Sequence, residues 1–250
     1  MLLFTFLGFV VGVLVGLTGV GGGALMTPSL IFLGVEPLTA VGTDLVYASV
    51  TKIFGTIFHR KKGNIELDTS LKLFAGSFPA IIIGSQILRY VNRDLINHHL
   101  TVFLGIILII TSILSLRKGR FEGRKSLKFL TLILLGFFVG LVVQFTSVGA
   151  GVLVGFILAN FTTLNPRYVV GTTVFYGLML SLVSAASHIS LGNVNYYLSL
   201  WLVLGTIPGV YFGTHLNSII KKDKLRRVIN MLILFTGMVT IASVFNGFKP

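Results

Sequence analysis

Two glycine-rich runs carry the chemistry that this sequence can offer. Thr18-Gly19-Val20-Gly21-Gly22-Gly23 lies in an apolar stretch, Met1 to Leu33, that holds no charge, and Thr146-Ser147-Val148-Gly149-Ala150-Gly151 repeats it 128 positions later. An apolar stretch in lipid is a helix, because only there are its backbone groups satisfied internally. Four glycines in five positions break a helix, and broken backbone at membrane depth survives only inside protein or along a cavity. Short helices restarting near Gly23 and Gly151 would aim their N-termini at the middle of the molecule, each with unpaired N–H groups and about half a positive charge. Glycine lets a ligand approach the backbone, and Thr18, Thr146 and Ser147 add hydroxyls. The arrangement suits a small oxyanion, with Gly19, Gly21, Gly22, Gly23, Gly149, Ala150 and Gly151 as the approach surface. The plainer alternative is that these glycines only let helices pack closely.

A second matched motif follows each break. Val41-Gly42-Thr43 corresponds to Val170-Gly171-Thr172, which adds Thr43 and Thr172 to the binding candidates, and Tyr47 corresponds to Tyr176. The tyrosines either line a path or pack. Asp44 is the only acid inside an apolar span, and its counterpart is Thr173. A carboxyl in lipid must face the interior. It could carry a coupling proton, or it could hold a neighbouring helix by a hydrogen bond; both readings stay open. Lys52, eight residues on, falls near the same helix face. His59 and His188 lie at span ends and read as interfacial residues.

Other chemistries find no support. Gly19 to Ala24 loosely mimics a dinucleotide fingerprint, but no strand precedes it and no phosphate-binding lysine follows. No nucleophile triad or metal-ligating histidine pair sits at helical spacing, so neither an enzyme, a metal site nor a cofactor is expected. With 54% hydrophobic and 11% charged residues in 250, the composition is that of a multi-pass protein of the cell membrane. The net charge of +13 follows from basic loops between apolar spans rather than from a nucleic-acid partner.

The elements that must position these residues are apolar stretches near 2–17, 23–34, 39–58, 69–88 and 95–116, then 130–145, 151–161, 168–188, 196–216 and 228–248. The fold class is therefore all-α and polytopic. It divides into a first repeat (1–116), a basic cytoplasmic linker (117–128) and a second repeat (129–250). Gly8, Gly12, Gly76, Pro79, His59 and Asn64 recur as Gly136, Gly140, Gly205, Pro208, His188 and Asn193. Each repeat holds three full spans and one broken segment, either re-entrant or crossing as two short helices. Inverted repeats put seventeen of the twenty basic side chains on one face, Lys52 among them, against Arg89, Arg93 and Lys249. Parallel repeats divide them almost evenly, so the charge favours inversion with both termini outside.

At these residues the sequence resembles the sulfite exporter (TauE/SafE) family of membrane permeases. The likeness rests on Gly16 to Gly23 followed by Pro28, on Ala40-Val41-Gly42-Thr43, and on the weaker second copy at Thr146–Gly151 and Val170–Thr172. The second copy departs at Gln144 and Phe156, where the first has Gly16 and Pro28. The resemblance implies export, or uptake, of sulfite, sulfoacetate or related organosulfur anions. The expected function is a secondary transporter for small anions, with a midplane site, alternating access and proton coupling through Asp44. A passive anion channel and a non-transporting membrane scaffold or subunit are the alternatives.

Overall fold

Helices that close their own hydrogen bonds fill the chain. The computed structural model describes residues 1–18, 22–116, 127–216 and 222–245. Ten helices occur among them: α1 (Leu2–Thr18), α2 (Gly23–Phe32), α3 (Pro37–Lys61), α4 (Leu67–Tyr90), α5 (Arg93–Leu116), α6 (Phe129–Thr146), α7 (Ala150–Phe161), α8 (Pro166–Ser190), α9 (Tyr196–Leu216) and α10 (Lys222–Phe245). The described residues contain no strand. Most of the basic linker, Gly119 included, lies outside them, as do Gly19, Val20 and Gly21.

Local sequence sets the helix ends. Pro37 and Pro166 open α3 and α8, where a missing N–H costs nothing, and the Asn165 side chain accepts from Arg167 N at 3.2 Å. Gly34, Gly63 and Gly192 take positive φ after α2, α3 and α8. Five helices are long and apolar enough to cross a membrane: α4, α5, α6, α8 and the Tyr196–Gly213 part of α9. Their outward faces carry Phe78, Leu134, Phe138 and Phe212, all exposed. A soluble protein does not leave so much apolar surface open; lipid covers it here. By contrast, α2 and α7 have 10 and 12 residues and extend only about 15–18 Å, short of a ~30 Å core.

Small residues let backbones touch, and which backbones touch fixes the directions. Gly8 meets Leu202, Gly12 meets Thr206 and Gly213 meets Val13, so α1 and α9 run parallel. Gly136 meets Leu73 and Gly140 meets Ser77, so α6 and α4 also run parallel. Gly42 faces Asn193, Gly55 faces Val174 and Gly171 faces Asn64, which makes α3 and α8 antiparallel. Gly105 packs on Gly237 and Ile241 while Ser112 Oγ donates to the Asn230 carbonyl, so α5 and α10 are antiparallel too. Tyr47 and Thr43 reach Thr206 and Asn195, which aligns α3 with α9 and hence with α1. Because α1 and α3 share a direction, α2 returns between them. Because Ser70 and Ser77 meet Thr172 and Tyr176, α8 runs with α4 and α6, and α7 returns in the same way.

Candidate functional site

The second break is built by its own backbone. Thr146 Oγ1 donates to Val142 O at 2.6 Å and accepts from Val148 N at 3.1 Å, closing α6. Ser147 then takes φ 61 and ψ −3, and it is the one non-glycine with positive φ among the described residues. The left-handed region costs an L-residue about 1–2 kcal/mol, and the first repeat has Gly19 at this place. Gly149, at φ 118, completes the turn, and Ala150, buried, opens α7 with Gly151 behind it.

The first break comes back against the second. Gly22 caps α2, and a side chain there would sit 3.2 Å from the Tyr47 ring. At Gly23 a Cβ would stand 2.5 Å from the Ser147 carbonyl oxygen and 3.2 Å from Asp44 Oδ2. Hydrogen is therefore the only substituent at Gly23 that lets the two breaks touch. Asp44 is fully buried, and its Oδ2 accepts from Thr27 Oγ1 at 2.6 Å. Its Oδ1 and the Ser147 hydroxyl are buried beside each other, and neither has a further hydrogen-bond partner. A carboxylate thus occupies the positive end of α2, where an incoming anion would be drawn. The second repeat has no such group, for Thr173 Oγ1 donates to its own Val170 carbonyl at 2.9 Å.

The other candidates divide. Thr43 and Thr172 lie in matched clasps between the repeats. Thr43 Oγ1 accepts from Asn195 N at 3.1 Å, and Thr172 Oγ1 accepts from Glu66 N at 3.0 Å. Gly42 and Gly171 beside them admit the carbonyls of Asn193 and Asn64, which a Cβ would overlap. Tyr47 and Tyr176 are also matched. Thr206 Oγ1 lies 2.9 Å from the Tyr47 hydroxyl and 2.8 Å from Gly8 O; Ser77 Oγ lies 2.7 Å from the Tyr176 hydroxyl and 2.7 Å from Gly136 O. Both rings are fully buried in these contacts. Thr18 ends α1, and Gly19 and Gly21 fall outside the described residues.

Two placements differ from the sequence reading. His188 is not interfacial but fully buried, with Nε2 3.0 Å from the Gln144 carbonyl. Lys52, counted with the cytoplasmic charges, sits inside α3 with Nζ donating to Gly177 O at 3.3 Å. Thr27 was not singled out at all; its only sequence signal is a hydroxyl one turn beyond Gly23. On the face opposite the basic loops, Glu36 accepts from Arg93 Nε at 3.0 Å and from Asn97 Nδ2 at 2.6 Å, while Arg93 also donates to Asn193 Oδ1 at 3.1 Å. Burial pushes the Glu36 carboxyl up, but Asn97, Thr39 and the Arg93 guanidinium together hold it below its ordinary value.

An all-helical chain with lipid-covered flanks and two interrupted segments packed tip to tip is a multi-pass membrane protein. The family model described as "Sulfite exporter TauE/SafE" matches residues 4–240, and the chain belongs to that family. It is 35% identical over 248 residues to the "Probable membrane transporter protein YjnA" of Bacillus subtilis (strain 168), covering 93% of this chain and 96% of the relative. It is 27% identical to "Probable membrane transporter protein YdhB" of the same strain, covering 93% and 97%. A "Probable membrane transporter protein" of Haemophilus influenzae is 26% identical, covering 87% of each chain. No solved structure matches the chain. The family and these relatives are named as membrane transporters, not as enzymes.

Proposed function

We propose that this chain is a secondary transporter of small oxyanions, sulfite or organosulfur anions foremost, working by alternating access between two inverted repeats. The observation that carries it is the meeting of the two breaks, Gly23 against the Ser147 carbonyl, which sets the start of α2 against the turn that opens α7 in the buried interior. The matched but antiparallel pairs α3/α8 and α5/α10 support the inverted arrangement. Two packed repeats that each contribute one break can rock against each other and open the junction to either face. The family description supports sulfur oxyanions as the substrate class.

The test is tracer flux in liposomes holding the purified protein, with sulfite, sulfate, sulfoacetate and chloride compared. Saturable sulfite or sulfoacetate flux is expected, with Gly23→Ala reducing it by at least about tenfold because its methyl group must displace Ser147. Absence of flux for every anion, or wild-type flux in Gly23→Ala, would sink the proposal.

A further inference from the structure

The unpartnered polar atoms are not scattered. Eight buried side-chain atoms lack a hydrogen-bond partner among the described residues, save that Asp44 Oδ1 and Ser147 Oγ lie beside each other. Five belong to α3 or α8: Asp44 Oδ1, Thr56 Oγ1, His59 Nδ1, Ser184 Oγ and His188 Nδ1. Two more, Gln144 Oε1 and Ser147 Oγ, lie where α6 ends against α8 and α2. At 3.6 residues per turn, Asp44, Thr56 and His59 fall within a quarter turn of Lys52 on α3. Ser184 and His188 fall as close to Gly177 on α8. Since Lys52 and Gly177 touch, the two stripes face each other along the antiparallel α3–α8 contact. The seam passes from His188, past Asp44 and Ser184, to Lys52, then Thr56 and His59. There it meets a cleft of about 560 Å³ lined by His59, Lys62, Asn64 and Arg167.

Lys52 stands at the middle of this seam. Its ammonium does not reach for either membrane face, because Gly177 lies level with it, near the centre of α8. An ammonium has three donors, and one goes to a neutral carbonyl. Asp44, the nearest acid on its helix, accepts from Thr27 at Oδ2 and acts on Lys52 through space without touching it; the contact ion pairs of the described residues join Lys72 with Asp68 and Arg93 with Glu36. A cation at membrane depth with donors to spare is costly and marks an ion pathway. From these contacts we infer that Lys52 is the binding cation for the transported oxyanion, and that the α3–α8 seam is the path linking the glycine junction to the basic cleft. The inference rests on the transporter reading above. It adds a full charge to a site that helix N-termini alone would supply with partial charges. Lys62 and Arg167 at the cleft would gather anions at the entrance.

The absence of cysteine makes the test direct. Sulfoacetate, which unlike sulfite attacks neither disulfides nor methanethiosulfonates, is the probe; its binding is measured on wild type, Lys52→Arg and Lys52→Cys, the last before and after reaction with aminoethyl methanethiosulfonate, which restores an ammonium, or methyl methanethiosulfonate, which does not. Lys52→Cys should weaken sulfoacetate binding at least tenfold. The ammonium reagent should restore it, the neutral one should not, and sulfoacetate should slow both reactions. Lys52→Arg, which keeps the charge, should stay within a few-fold of wild type, and this variant keeps the question open to measurement if Lys52→Cys does not fold. Wild-type affinity in Lys52→Cys, loss that neither reagent repairs, no reaction at the thiol, or tenfold loss in Lys52→Arg would overturn the inference. If wild type itself binds no anion, the transporter reading falls with it; if wild type binds and Lys52→Cys is unaffected, only Lys52 falls.

Discussion

Asp44 is where the chemistry of the two repeats parts company. Its Oδ2 accepts from Thr27, the Ser147 hydroxyl lies beside it, and the equivalent position is a threonine bonded to its own helix. Asp44→Asn keeps size and hydrogen-bonding capacity but does not titrate. A carrier that moves one proton per anion turns a one-unit pH difference into accumulation of up to about tenfold. Asp44→Asn should keep anion-for-anion exchange and lose that accumulation. Full pH-driven accumulation in the variant would make Asp44 structural. The carboxylate itself was legible in the sequence as a lone acid in an apolar span. Its neighbours were not: Thr27 is 17 positions away and Ser147 more than a hundred, and nothing local says that α2 carries the first to Asp44 while the other repeat delivers the second. Lys52 reads from the sequence both as one of the basic face's charges and as a residue on Asp44's side of α3, and only its contact with Gly177 places its ammonium.

At the scale of elements, glycine serves two different purposes that the sequence does not distinguish. In α1, α4, α6 and α9 it lets whole helices touch backbone to backbone. A methyl group at Gly136 would overlap the Leu73 carbonyl, whereas one at Gly155 would meet only a Thr173 methyl at 3.8 Å. Gly136→Ala should therefore lower stability by about 1–3 kcal/mol, the usual cost of overpacking a tight contact. Gly155→Ala should leave it unchanged or raise it by up to about 1 kcal/mol, since alanine favours helix. Thermal unfolding of the purified variants in detergent separates the two; equal shifts would show that the α4–α6 contact yields easily. The breaks and the helices were readable from apolar runs and glycine clusters. The Val-Gly-Thr motifs were readable as repeats but not as clasps, because Asn64 and Asn193 supply the opposing carbonyls from loops in the other half.

For the molecule as a whole, the charge of the loops and the directions of the helices can be checked against each other. Lys62 follows α3 on the basic face, and Ser190 ends α8, which runs the opposite way. Both are exposed. In this cysteine-free chain, Lys62→Cys should be labelled by a membrane-impermeant maleimide only from the cytoplasm, and Ser190→Cys only from outside. Labelling of both from one side would mean that the matched helices do not cross in opposite senses.

The exchange of partners between the halves bears on how the protein is made. The glycine face of α1 is filled by α9, and that of α4 by α6; neither helix finds its close mate within its own half. A ribosome delivers α1 to α5 to the bilayer before α6 has reached it. During that interval the first half holds two unfilled backbone grooves, and the lipid around it is the only thing that can occupy them. Assembly must therefore wait until the last third of the chain has been inserted. Two polypeptides split at the linker should regain the native form only when both are synthesised into the same membrane.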